Sequence, residues 1–393
     1  MKRIAIIGLN VYPIPCIKGG AIEALMTTLL DQNEKNPIFE FTVYTVKDKN
    51  LKKVAEKYRY TRIVEVSEKG LLALYIFIYR VFRKLFCRQL PRRTVYMTRI
   101  NRSLLKNKYD VVVFATSAQQ VVELSDKINS KVLYGVYSDY LRENTPQIDS
   151  ICKKITAFIA NSYIRGRIIE ELKVAPEKAI TVELGGNINL IDLSQLPIIK
   201  KSVRKKFDIE DDDILVAYCG RLSSEKGPLE LIKAIQMVKG CKLMIIGGSN
   251  FSENEMTDYV KQLRFEADKC NGRVFFTGYV PNRIDSYKYM AAADIGVVPS
   301  ICNEAGSAAM REFRCLNVPT VISNMGGMPL YRGKGSILVE KDNNYVRNLA
   351  DAIQRLVDDS QLRLQLSSVT REGLEDCTGE AYFGRFADMI NSL

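Results

Sequence analysis

The sequence predicts an α/β protein with two doubly wound parallel-sheet domains, and three observations carry that reading. Short apolar runs alternate with segments of helical spacing along nearly the whole chain, the pattern of repeated strand–helix–strand units. The alternation stops once, near residues 185–212, and then begins again. With 393 residues, the chain has room for two domains of roughly 100–200 residues each.

The elements follow in order. "RIAIIGL" (3–9) reads as a first buried strand; its apolar run is too short for a secretory signal and no small-residue cleavage site follows. A loop then closes on "KGG" (18–20), ahead of the helical "AIEALMTTLLDQ" (21–32). "FEFTVYTV" (39–46), "YDVVVFAT" (109–116), "KVLYGVYS" (131–138) and "ITAFIANS" (155–162) are the further strands of the first half. The turn-rich "GGNINLIDLSQLP" and the charged "IIKKSVRKKFDIEDDD" mark the boundary, giving a first domain over 1–190 and a second over 191–375. In the second, strands at 214–220, 241–248, 273–280, 294–300 and 318–324 alternate with helices at 229–238, 254–270, 284–293 and 305–316. Ligands of such sheets bind outside the carboxyl ends of the strands, and in a two-domain chain the cleft between domains is the default site.

Composition excludes several chemistries. Histidine is absent, so Ser-His-Asp and Cys-His mechanisms and His-ligated metals are out. Acid–base work falls to carboxylates, Tyr, Lys, Cys or the substrate itself. Nine scattered cysteines without a Cys-x-x-Cys fit reduced thiols in a cytoplasm. The net charge of +12 is concentrated: from Lys69 to Tyr109 there are eleven basic residues and no acidic one.

Three loops could hold a phosphate. "RLSSEKG" (221–227) places Arg221 and Lys226 after the first strand of the second domain, and two cations at a strand–helix junction suit a diphosphate. "SICNEAGSAAM" places Gly306, Ser307 and Ala308 at a helix start, where free backbone N–H groups make an anion site and small side chains allow close approach. Glu312 follows one turn later on the same face, able to accept hydrogen bonds from a ribose diol, while Glu304 sits in the loop ahead, nearer the transferring group. "CIKGGAIE" (16–23) puts Gly19 and Gly20 before a helix in the first domain. Taken singly, each also reads as a solvated loop or tight turn.

Taken together and in this order, the loops resemble the retaining GT-B glycosyltransferases of family four, the glycosyl transferases group 1, of the bacterial surface-polysaccharide type. The resemblance is strongest from "LVAYCGRLSSEKGPLELIKAI" through "NEAGSAAMREFRCLNVPTVISNMGGMPLYRGKGSILVE". It implies a GT-B fold of two Rossmann-like domains facing a cleft, with 376–393 crossing back to the first domain. It also implies a diphosphate held by Arg221 and Lys226, sugar hydroxyls met by Glu304, a ribose met by Glu312, and a base lying against Tyr279 and Val280 of "TGYV". Gly19 to Glu23 match the family's amino-terminal glycine loop. Where relatives carry His-Asn-Asp near the reacting carbon, this chain has "YSD", so Tyr137 stands for the His and Asp139 is kept. The implied mechanism is front-face displacement with retention, in which the departing phosphate takes the acceptor proton. It needs no cofactor and no metal. The rival reading, motivated by Tyr137, is a non-catalytic nucleotide-sugar-binding subunit.

Two charged features complete the sequence. Asp211 and Asp213 in "EDDD" have the spacing of a metal motif but precede their strand, which favours a charged linker. "LLALYIFIYRVFRKLFCR" (71–88) opens with nine apolar residues, far short of the roughly 20 of a membrane span. Beyond Tyr79, Arg80, Arg83, Lys84 and Arg88 fall on one helical face and Val81, Phe82, Leu85 and Phe86 on the other, the pattern of a helix lying on anionic lipid. The basic amphipathic segment is taken as 71–93. A nucleic-acid reading of the same charges leaves the phosphate loops unexplained. The expected partners are therefore a nucleotide-diphosphate sugar, UDP-linked, a lipid-linked or oligosaccharide acceptor, and the inner face of the cell membrane.

Overall fold

The computed structural model describes residues 1–87, 92–115, 117–186, 191–249 and 256–393. Arg88 of the expected basic face, Thr116 of an expected strand, positions 187–190 of the expected boundary, and Asn254 and Glu255 of an expected helix lie outside them. The chain forms two compact units, residues 1–186 with 382–393, and residues 187–381.

Seven strands of the first unit, among the described residues, make one parallel sheet: β1 (Lys2–Ile7), β2 (Phe39–Val46), β3 (Thr61–Val66), β4 (Val111–Phe114), β5 (Lys131–Gly135), β6 (Ala157–Ala160) and β7 (Ala179–Thr181), in the order β3-β2-β1-β4-β5-β6-β7. The second unit has six: β8 (Ile214–Cys219), β9 (Cys241–Ile246), β10 (Val274–Gly278), β11 (Ile295–Val298), β12 (Thr320–Ser323) and β13 (Ser336–Val339), in the order β10-β9-β8-β11-β12-β13. All neighbours run parallel. Strand order reverses between β1 and β4 in one sheet and between β8 and β11 in the other, and such a switch point opens a crevice for ligands at the carboxyl edge.

The central strands are near-continuous apolar runs because helices cover both faces. In β1, Ile4 to Ile7 are fully buried. In the second unit, Leu231 and Ile235 of helix Pro228–Met237 and Leu349 and Ile353 of helix Tyr345–Asp358 pack on Val216, Leu243 and Ile245. Three strands were not anticipated, namely β3, β7 and β13. Each is the outermost strand at one edge of its sheet. An edge strand has one strand neighbour, so its apolar run is short or diluted, as in "TRIVEV" and "AIT".

The charged linker is ordered. Helix Leu196–Lys206 carries Arg204, buried, whose guanidinium donates to the Asp294 carboxylate (2.6 Å) and to the Glu210 carbonyl (2.6 Å). Asp213 is paired with Lys242 at 2.6 Å, ahead of β8. Among the described residues no cluster of acidic and thiol side chains is arranged to hold a metal ion.

The last helix, Gly379–Ser392, packs within the first unit from Tyr382 onward. Phe383 and Phe386 meet Phe39 edge-on with ring centroids 6.2 and 6.3 Å apart, and Lys2 donates to the Ile390 carbonyl at 2.6 Å. Burying each of these phenyl rings contributes about 1.5–3 kcal/mol, which makes the terminal segment part of that unit's core.

Candidate active site

The carboxyl edge of the second sheet is built from loops that touch backbone to backbone. After β8 the chain runs through Gly220 to a short turn, Ser224–Lys226, and into helix Pro228–Met237 through Gly227, whose φ is 69°. A Cβ on Gly227 would lie 1.9 Å from the Pro299 carbonyl oxygen, in the loop after β11. Only glycine supplies both that conformation and that approach. The Ile301 N–H donates to the Glu225 carbonyl at 3.0 Å and ties the two loops together. Gly247, after β9, approaches Gly220 as closely, and the Leu222 N–H reaches the Gly248 carbonyl at 2.9 Å.

This bracing brings together residues far apart in sequence. Lys226 Nζ lies 3.1 Å from Glu304 Oε1, and Ser300 Oγ donates to the same oxygen. The Glu304 side chain is only 12 % exposed, so its pairing with Lys226 works in a medium less screening than water. Its backbone is pinned too, because the Gly327 N–H donates to the Glu304 carbonyl at 2.7 Å, and a Cβ on Gly326 (φ 58°) would lie 2.5 Å from that oxygen. Gly326 and Gly327 follow β12 in "NMGGMP"; the glycine pair is the signal by which they could have been assigned to the site. Ser300 gave no such signal.

Helix Ala308–Cys315 starts four residues beyond Glu304, capped by Ser307, whose Oγ accepts from the Met310 N–H. Its amino end, at Gly306, Ser307 and Ala308, carries the positive end of the helix dipole. Glu312 lies one turn inside, 14 % exposed, with Arg283 Nη2 at 2.9 Å. Arg283 begins helix Arg283–Ala291; as one of many basic residues it was not legible from the sequence. Arg221 is 41 % exposed and pairs with Glu225 at 3.2 Å within its own loop. Tyr279 and Val280 follow Gly278, which turns the chain with φ 73° at the end of β10. The edge thus presents two partly covered carboxylates, each with a cation, beside a helix amino terminus. A helix start beside a switch-point crevice suits an anionic ligand.

The first unit differs. Gly19 and Gly20, with φ 104° and 108°, lead into helix Ala21–Lys35. Glu23, 3 % exposed, folds its carboxyl group back over this start, so that a Cβ on Gly20 would lie 2.0 Å from Glu23 Oε2. Burial pushes the Glu23 carboxyl up to about 7, partly offset by its own backbone N–H. Its Oε1 has no hydrogen-bond partner among the described residues.

Tyr137 and Asp139 follow β5. The Tyr137 ring is buried against Gly135, and burial raises the phenol to about 12, a rise that the neighbouring Tyr382 hydroxyl limits. The Asp139 side chain, 3 % exposed, is held by both Arg142 and Arg167. Glu171 takes the outer nitrogens of the same two arginines at 2.9 and 3.1 Å. Tyr137 is thus packed inward and Asp139 is saturated with partners, so neither side chain stands open at the sheet edge.

Known proteins resemble this chain in sequence and in fold. Residues 199–373 match the family Glycosyl transferases group 1. Spore coat protein SA of Bacillus subtilis (strain 168) is 23 % identical over 394 residues, covering 96 % of each chain. The capsular polysaccharide biosynthesis glycosyltransferase CapM of Staphylococcus aureus is 26 % identical over 242 residues, 58 % of this chain and 60 % of that one. Among solved structures, Anabaena Alr3699/HepE in complex with UDP superposes with a TM-score of 0.77 at 18 % identity, covering all of both chains. WaaG, a glycosyltransferase involved in lipopolysaccharide biosynthesis, gives 0.69 at 14 %. The two parallel-sheet units therefore have the GT-B fold, and residues 199–373, within the second of them, are similar to Glycosyl transferases group 1.

Proposed function

We propose that this chain is a glycosyltransferase that moves a sugar from a UDP-linked donor to a lipid-linked or growing glycan acceptor, with retention, in the assembly of cell-surface polysaccharide or glycoconjugate. The observation that carries the reading is the Lys226–Glu304 pair at 3.1 Å, set between a cationic loop and a helix amino terminus. In this reading the diphosphate lies against Arg221, Lys226 and the N–H groups of Gly306, Ser307 and Ala308. Glu304 receives sugar hydroxyls and Glu312, steadied by Arg283, receives the ribose, while Tyr279 and Val280 flank the base. Negative charge grows on the departing phosphate as the glycosidic bond breaks. The cations and the helix dipole stabilise it there more than in the bound donor, which is what lowers the barrier. The same phosphate oxygen accepts the acceptor's hydroxyl proton, so a protein base and a metal are both dispensable.

Support comes also from the relatives: HepE was solved with UDP-glucose, and CapM is named for capsular polysaccharide biosynthesis. In the first unit the Glu23 carboxyl folds over Gly20 at the helix start. Tyr137 and Asp139 act there by holding the loop after β5 in shape rather than by touching the reacting atoms. The test is UDP release from a panel of UDP-sugars, with and without acceptor extracts. Arg221→Ala and Lys226→Ala should each lower turnover by roughly 10²–10³. Unchanged turnover in both variants overturns the assignment, and a wild-type chain that binds donor without ever releasing UDP favours a non-catalytic subunit.

A further inference from the structure

Helix Leu71–Phe86 in the first unit is mounted the opposite way from an ordinary surface helix. A surface helix turns its apolar stripe to the core. Here only Ile76 of the sixteen residues is buried. Leu71, Leu74, Tyr75, Ile78, Val81, Phe82 and Leu85 are all exposed, between 42 % for Val81 and 88 % for Leu71. Their spacing of three and four places them on one continuous face. Phe77 and Phe86 widen it, at 64 % and 74 % exposed.

The helix is fastened at both ends, so this face is displayed rather than loose. The Arg99 guanidinium donates to the Lys69 carbonyl at 2.7 Å, just ahead of the first turn. Farther along, Arg80 Nε donates to the Arg93 carbonyl at 3.1 Å, and the Arg93 guanidinium lies 5.2 Å from the centre of the Tyr79 ring. Arg83, expected on the basic face, turns instead toward the unit and is half-buried. Arg80 and Lys84 stay exposed; three and seven positions after Phe77, they line one edge of the stripe. Arg92, Arg93, Arg102 and Lys106 add exposed charge in the adjoining segment, with no carboxylate between Glu68 and Asp110.

We propose that this face docks the chain on an anionic lipid bilayer, the apolar stripe entering the acyl boundary and Arg80, Lys84, Arg92 and Arg93 lying against the headgroups. Charge decides the occupant. Two copies joined stripe to stripe would bring two such cationic rims together with no acidic residue in the segment to neutralise them. An anionic surface neutralises the rim and buries the stripe in one step. Docking depends on the sugar-transfer reading only in that it gives a lipid-linked acceptor a reason to be near; the contact itself stands on this helix.

The chain contains no tryptophan, so Phe82→Trp installs a single fluorescent reporter on the stripe, and Phe265→Trp, at an exposed position of the second unit, serves as control. The full-length chain is mixed at low salt with phosphatidylcholine vesicles made with and without phosphatidylglycerol. Expected is a blue shift of Phe82→Trp on the anionic vesicles alone, reversed by salt, with the control unmoved. Leu74→Glu combined with Ile78→Glu should weaken vesicle partition about tenfold or more at unchanged melting temperature. Arg80→Ala and Lys84→Ala should each weaken it about fivefold. No shift on anionic vesicles at low salt overturns the proposal. So does a shift without lipid that tracks a dimer in sedimentation, which would assign the face to a second copy. Sugar transfer is not the readout, so a chain that binds vesicles but lacks transferase activity leaves the docking standing, and the reverse result leaves the transferase standing.

Discussion

Glu304 and Asp139 are both carboxylates in loops at the carboxyl edge of a parallel sheet, and the chain uses them differently. Glu304 has one lysine and one serine on a single oxygen and keeps some solvent access. Asp139 has two guanidinium groups, a second acid bonded to the same arginines, and almost no exposure. A carboxylate can receive a ligand hydroxyl only where a lone pair is left over. Glu304 takes both of those partners on one oxygen, whereas Asp139 has an arginine on each of its two. The comparison teaches that an acid carried over from a family motif can be a ligand contact or a loop's internal brace, and that the number of cations around it separates the two.

The sharpest way to break this contrast is to remove the brace. Asp139→Ala leaves Arg142 and Arg167 facing each other with Glu171 alone between them. Removing one partner of a buried pair costs about 3–5 kcal/mol, so urea melts should show a loss of that size, with any fall in activity following the fraction unfolded. A variant as stable as the wild type would return Asp139 to the list of direct substrate contacts.

Next in size is Glu23, the acid that covers the amino end of its own helix. Its folded pKa of about 7 lies above the ordinary carboxyl value of 4.5. The unfolded chain therefore releases this proton first, and the associated stability is complete below about 4.5 and is lost as pH rises through 7. Glu23→Gln should flatten that fall, leaving the variant more stable than wild type by up to about 3 kcal/mol at pH 8 and little different at pH 4. Parallel melting curves for the two proteins across this range would remove Glu23 as the cause.

Arg283→Ala makes the finest cut. Arg283 touches Glu312, not the Lys226–Glu304 pair. If Glu312 holds the ribose, loosening it weakens binding of donor and transition state alike. The donor KM should rise about tenfold, the equivalent of one charge-assisted hydrogen bond, with kcat nearly unchanged. A fall in kcat at constant KM would place Glu312 with the reacting groups instead.

Sequence alone carried much of this. Buried strands β1, β2, β4, β8, β9 and β11 announce themselves as apolar runs because both their faces are covered. Arg221, Lys226 and Glu304 stood out by charge at strand–helix junctions, where a doubly wound sheet puts its loops, and Glu312 by its place one turn into the helix that follows. The edge strands β3, β7 and β13 did not stand out, since a strand with one neighbour has less apolar sequence to show. Arg283 and Arg167 are ordinary polar residues whose partners, Glu312 and Asp139, lie tens of positions away, which no local pattern encodes; Ser300 and Arg142 stand close in sequence to Glu304 and Asp139, but nothing in their residue type marks them.

What the sequence determined by itself, then, is the alternation that builds two parallel sheets, the absence of histidine chemistry, and the concentration of positive charge between residues 69 and 109. Periodicity and composition are local properties, legible without a fold. Tertiary structure alone decided that Glu304 meets Lys226 while Asp139 is enclosed by arginines, and that helix Leu71–Phe86 turns its apolar stripe outward. Helical spacing says which residues share a face. Which way that face points depends on the packing of the other side, set here by Arg99, Arg93 and Tyr79.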